Sequence, residues 1–171
     1  RFPLPELGPL LRRVQHRLEH GSGACQIKRV PIENYSQEER EILFWLISVH
    51  LGTPVSQSAT GEKLFHVRDE GFKVGQAQAR GPNTSKRLSF HTDRCDVIGF
   101  LCIQQALSGG DNQLVSSVAL FNEMRQRWPE LTQTLMQPFY YLRHNVDTGN
   151  QKPFCRQPIF SVQDGHFAGS F

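Results

Sequence analysis

From Lys63 onward the chain is a succession of short apolar runs, each ended by Gly, Pro, Asn or Asp, and this cadence restricts the fold more than any other feature. The runs are KLFHVRD (63–69), RLSFHTD (87–93), DVIGFLCIQQA (96–106), QLVSS (113–117), FYYLRHNVD (139–147), PFCRQPIFSVQDG (153–165) and HFAGSF (166–171). Most are too short for ordinary helices, and closely spaced turn residues bring consecutive strands back alongside one another, so the spacing predicts an antiparallel β layer. One segment departs from the pattern. SSVALFNEMRQRWPELTQTLMQ (116–137) has helical periodicity on both sides of Pro129, with Ser117 as the predicted N-cap.

The first third reads differently. Between Pro5 and Glu19 the residues Leu7, Leu10, Leu11, Val14 and Leu18 recur at intervals of three and four, which predicts an amphipathic helix ended by HGSG. ACQIKRVPI (24–32) is read as a short strand closing at Pro31. A second helix opens at SQEEREILFWLISVHLGTP with Ser36 as N-cap and Glu39 three residues on, a capping box, and stops at Gly52 and Pro54. Its predicted buried side is Ile42, Leu43, Leu46, Ile47 and Val49 to Leu51, with His50 a packed core residue. Mainly β with flanking helices is the class that results.

At 171 residues the chain has the length of one domain. A net charge of +3, with Lys and Arg scattered in pairs such as Arg12-Arg13 and Lys86-Arg87, does not suggest a nucleic-acid partner. No run of about 18 apolar residues occurs and the opening residues have no signal-peptide pattern, so the expected setting is cytoplasmic, without membrane contact. Cys25, Cys95, Cys102 and Cys155 have no C-x-x-C spacing and are expected as free, mostly buried thiols in a reducing compartment. The polar stretch VGQAQARGPNTSKR (74–87) has the length and composition of a lid.

Chemistry enters at His91-Thr92-Asp93. If 88–93 is a strand, side chains alternate between its faces, so His91 and Asp93 project together and Thr92 projects oppositely. An imidazole and a carboxylate on one side are two of the three ligands of a 2-His-1-carboxylate iron site. The same pair could also bond to one another or cap a turn. With seven histidines in the chain the bare motif is a weak signal, and the surroundings must decide.

Those surroundings are LSFHTD, the apolar run VIGFLCIQQA, then SGGDNQLVSS and the helix VALFNEMRQRWPEL. Together they resemble the metal-binding segment of the TauD/TfdA-type Fe(II)- and 2-oxoglutarate-dependent dioxygenases. The likeness runs over essentially the whole chain, from the N-terminal helices to PFCRQPIFSVQDGHF, which is similar to a later hairpin of that family. It implies a double-stranded β-helix, or jelly roll. It also implies Fe(II) held by His91 and Asp93, 2-oxoglutarate and O2 as co-substrates, and hydroxylation of a small molecule with release of succinate. Asn112 stands where many members carry Thr or Ser near the co-substrate's carboxylate, and its amide can still donate there. Arg94 is the candidate for an anionic substrate; Arg68 is weighed beside it and read, like most strand-end arginines, as a solvated surface charge.

The family also needs a second histidine ligand and, a few residues later, an arginine that pairs with the far carboxylate of 2-oxoglutarate. Both are expected downstream of Phe171, which makes residues 1–171 a single, incomplete catalytic domain; His144 and His166 are the formal candidates within the chain. A different class of function is a non-catalytic jelly-roll binding module, or a fragment, that lacks the complete triad. A zinc hydrolase is disfavoured by the absence of an H-E-x-x-H motif. Phe139, Tyr140, Tyr141, Phe154, Phe160, Phe167 and Phe171 are read as core aromatics rather than a substrate box.

Overall fold

A computed structural model describes residues 3–58, 60–71, 87–143 and 151–171. Residues 74–86 of the stretch 74–87 read as a lid, and His144, lie outside the described residues. The chain divides into two compact units, one of residues 1–55 with Cys95–Gln105 and Gln113–Thr132, the other of Ser56–Arg94, Ala106–Asn112 and Gln133–Phe171.

The first unit is helical. Helix α1 spans Gly8–His20, with a proline in its first turn, where no intrahelical N–H partner is needed. Its core side is Leu11 and Val14, both buried, at the three-residue spacing that puts them on one face. Helix α2 spans Gln37–Leu51 and begins with the complete capping box: Glu39 N–H donates to Ser36 Oγ (3.3 Å) and Ser36 N–H donates to Glu39 Oε2 (2.8 Å). At its end Gly52 N–H donates to the Ser48 carbonyl. Gln15 Nε2 of α1 donates to the His50 carbonyl of α2 (2.9 Å), tying the helices where their apolar faces meet. His50 is half-buried, and Ile42, placed on the buried side by periodicity, is 51% exposed.

Helices α3 (Ser117–Arg127) and α4 (Pro129–Leu135) occupy the predicted helical interruption. Ser116 rather than Ser117 is the cap, its Oγ accepting from Ala119 N–H, because the cap must lie outside the first helical turn. Pro129 divides the two helices as its missing N–H requires.

The second unit contains the sheets. Strand β1 (Phe139–Leu142) pairs antiparallel with β2 (Phe154–Gln157), Phe139 opposite Gln157 and Leu142 opposite Phe154. Strand β3 (Phe160–Gln163) pairs antiparallel with β4 (His166–Gly169), Phe160 opposite Gly169. The β3–β4 turn is Asp164-Gly165 with φ of +51° and +80°, the left-handed pair that matches hairpin twist. Phe160 is 1% exposed, and its ring meets those of Phe167 (5.9 Å between centroids) and Phe171 (6.4 Å), which makes this cluster the unit's core.

Several expectations are corrected. Residues 24–32 form no strand; they run as irregular chain into a 3-10 turn at Ile32–Asn34. Nor is any strand assigned among the described residues of 63–69, 87–93, 96–106 or 113–117. A β-prone run needs a neighbour to complete its hydrogen bonds, and here Phe100, Ile103 and Leu114 are 67%, 50% and 81% exposed. Cys25, Cys95 and Cys102 are exposed for the same reason, and Cys155 alone is half-buried. Of the aromatics read as core, Phe139, Tyr140 and Phe154 are exposed; Tyr140 and Phe154 meet edge to face at 5.3 Å. The described strands form two antiparallel two-stranded sheets, β1–β2 and β3–β4, which agrees with the expected mainly antiparallel β layer with flanking helices.

Candidate metal centre

His91 and Asp93 are both exposed and the intervening Thr92 is half-buried, the alternation expected of extended chain although no strand is assigned. What holds this segment is a clasp to the far end of the same unit. Thr92 N–H donates to the Phe171 carbonyl (2.8 Å), and Phe171 N–H donates back to Thr92 Oγ1 (3.0 Å). The Thr92 hydroxyl is also 3.3 Å from the Phe171 carbonyl oxygen, to which it donates. Phe171 itself meets buried Phe160 edge to face, so Thr92 is anchored to the core of the unit. With Thr92 turned inward, its two neighbours turn outward.

The His91 ring is oriented from its other side. Its Nδ1 is 2.8 Å from the Ser89 carbonyl oxygen, which can only accept, so Nδ1 carries the proton. In the neutral ring Nε2 then keeps its lone pair. A histidine that donates one ring N–H to a backbone carbonyl is the usual arrangement of a metal ligand, because the bond fixes tautomer and ring direction and raises the basicity of the other nitrogen. The donor set, one imidazole nitrogen and one carboxylate, fits Fe(II).

The remaining candidates divide. Asn112 is exposed and belongs to the same unit, two residues after Gly109-Gly110, whose φ values of +71° and +76° turn the chain as only glycine does easily. Arg94 is exposed, and its charge reaches Tyr141: burial raises the Tyr141 pKa, Arg94 opposes that rise and Cys155 adds to it. The Tyr141 hydroxyl donates to the Ser170 carbonyl (2.8 Å), one residue before the Thr92 clasp. Arg68 faces solvent and lies 3.6 Å from Glu70. His166 is exposed at the start of β4, beside the Asp164-Gly165 turn. Among the described residues no three His, Cys, Asp or Glu side chains are grouped to hold an ion, so His166 does not join His91 and Asp93.

Thr92, Ser89 and Tyr141 support the site, and sequence reasoning did not single them out for that role. The signal for Thr92 was present: a β-branched residue between two polar ones, facing inward by period two. No local signal pointed to Ser89, whose contribution is a backbone carbonyl.

Among the described residues no helix is long and apolar enough to cross a membrane. FR-33289 synthase of Streptomyces rubellomurinus is 28% identical over 167 residues, covering 97% of this chain and 49% of that protein. Taurine hydroxylase-like protein SAT17 of Stachybotrys chartarum is 29% identical over 171 residues, covering 96% of this chain and 43% of that protein. The chain therefore spans less than half the length of these curated relatives. Residues 1–170 match the profile of the taurine catabolism dioxygenase TauD, TfdA family, and the chain belongs to that family.

Proposed function

We propose that this chain forms part of the single catalytic domain, a jelly roll when complete, of an Fe(II)- and 2-oxoglutarate-dependent oxygenase that hydroxylates a small molecule in the cytoplasm. The observation that carries the reading is the His91 ring, bonded through Nδ1–H to the Ser89 carbonyl with Nε2 left to act as a ligand, two residues from an Asp93 that is also exposed. Family membership supports it, as does the word hydroxylase in one relative's name.

In this reading His91 Nε2 and an Asp93 oxygen are two ligands, and a histidine outside the described residues completes the triad. The chemistry supplied by ferrous iron and 2-oxoglutarate is activation of O2, with oxidative decarboxylation to succinate and hydroxylation of a C–H bond. The protein's own part is positional. Thr92 holds the two ligands outward, Asn112 donates its amide to the co-substrate's carboxylate, and Arg94 attracts an anionic group of the substrate. The carboxylate ligand itself favours hydroxylation, since the halogenases of this family replace it to admit halide.

The test is succinate formation by the intact protein from 2-oxoglutarate and O2. Turnover is expected with Fe(II), and full activity with Zn2+ in its place would overturn the assignment, because zinc has no redox chemistry.

A further inference from the structure

Helix α1 carries two histidines four residues apart, His16 and His20, which therefore lie on one face; both are exposed. Their rings stand 5.0 Å apart between centroids at 65°. They line an open cleft of about 400 Å³ with Gln15, Glu19, Leu51 and Val97, all residues of the helical unit.

The separation is that of an edge-to-face ring contact, and it also accommodates a shared ion once one nitrogen of each ring turns to it. A nitrogen ligand lies about 2.0–2.1 Å from zinc, and a ring nitrogen is roughly 1.1 Å from its ring centre, so the ion sits about 3.2 Å from each centre. At ligand angles of about 90–109° the two centres are then about 4.5–5.2 Å apart, a range that contains the observed value.

The electrostatic setting independently favours a cation. Helix α1 ends at His20 and α2 at Leu51, so residues from the last turns of both helices line the cleft, where helix dipoles present negative partial charge. Gln15 Nε2 pins the two ends together through the His50 and Leu51 carbonyls (2.9 and 3.4 Å), and Glu19 adds a carboxylate on the rim. Arg17, in the same last turn of α1, does not line the cleft.

We propose that His16 and His20 form a second metal site, selective for a borderline divalent ion such as Zn2+, Ni2+ or Cu2+ over Mg2+ or Ca2+. Two imidazoles set that preference, because hard cations take oxygen ligands. Water fills the remaining positions, and Glu19 acts in the outer sphere. The ion binds the folded helix and thereby stabilises the last turn of α1.

Zn2+ alone is the probe, titrated into the intact protein by calorimetry while the histidine ring protons are followed by NMR. His16→Ala and His20→Ala are each expected to weaken one zinc-binding event by tenfold or more, and His91→Ala to leave that event unchanged. Both positions are exposed and alanine is the best helix former, so circular dichroism of the variants should match the parent. Mg2+ at the same concentration should not move the His16 and His20 signals. Zinc binding unaffected by either substitution, weakened by only one of them, or matched by Mg2+ would each overturn the proposal.

Discussion

Replacing Thr92 with valine keeps the shape of the side chain and removes its hydroxyl, so it isolates the clasp that turns His91 and Asp93 outward. Two interactions disappear, the bond accepted from Phe171 N–H at 3.0 Å and the longer one donated to the Phe171 carbonyl at 3.3 Å, while the backbone bond from Thr92 N–H at 2.8 Å remains. A neutral hydrogen bond contributes about 0.5–1.5 kcal/mol net, and the half-buried Phe171 N–H loses its acceptor. Thr92→Val should therefore cost about 1–3 kcal/mol, a change of about 5- to 160-fold in the unfolding equilibrium. Thr92→Ser keeps the hydroxyl and loses one half-buried methyl, so its cost should stay below about 0.8 kcal/mol. Urea denaturation of the intact protein, with unchanged slope across the series, measures both. Because Thr92 lies between the two proposed ligands, Fe(II) affinity should fall in the valine variant and largely persist in the serine one. A valine variant as stable as the parent, or a serine variant as weak as valine, would refute the clasp.

Three further outcomes follow from the packing and the caps. Phe160→Ala removes the one large side chain that is fully buried among the described residues and should cost about 3–5 kcal/mol in the same denaturation assay. Hydrogen bonds from the Ser36 backbone and hydroxyl hold the Glu39 carboxyl below its ordinary 4.5, so this contribution to α2 is present above pH 4.5 and lost as pH falls through the lowered value. Circular dichroism should show helicity declining in that acid window, and Glu39→Gln should flatten the decline. Burial raises Tyr141 above its ordinary 10.0, so stability should fall as pH rises from 10 towards that raised value, and Tyr141→Phe should remove the alkaline loss.

Local signals carried as far as local interactions do. The capping box at Ser36 and Glu39, the break at Pro129 and the Asp164-Gly165 hairpin turn each depend on residues within a few positions of one another, and each forms where its residues stand. The β-like runs at 63–69 and 96–106 read as strands from composition, but strand formation depends on a partner that no window of sequence contains. Period two predicted that His91 and Asp93 would alternate with Thr92, and the exposure of the three residues follows that alternation; the contacts of His91 to Ser89 and of Thr92 to Phe171, 79 residues away, were not legible. The H-x-x-x-H spacing of His16 and His20 was written in α1, yet its meaning depends on α2 closing the cleft.

Fe(II) binding by the intact protein, with His91→Ala and Asp93→Ala beside the parent, is the most direct test of the central claim. One equivalent is expected to bind the parent and to tighten when 2-oxoglutarate is added. Each substitution should weaken it by at least about tenfold and abolish succinate formation, with the thermal midpoint unchanged because both side chains are exposed. Undiminished iron affinity in either variant, or loss of the fold in both without metal, would contradict the assignment of His91 and Asp93 as ligands.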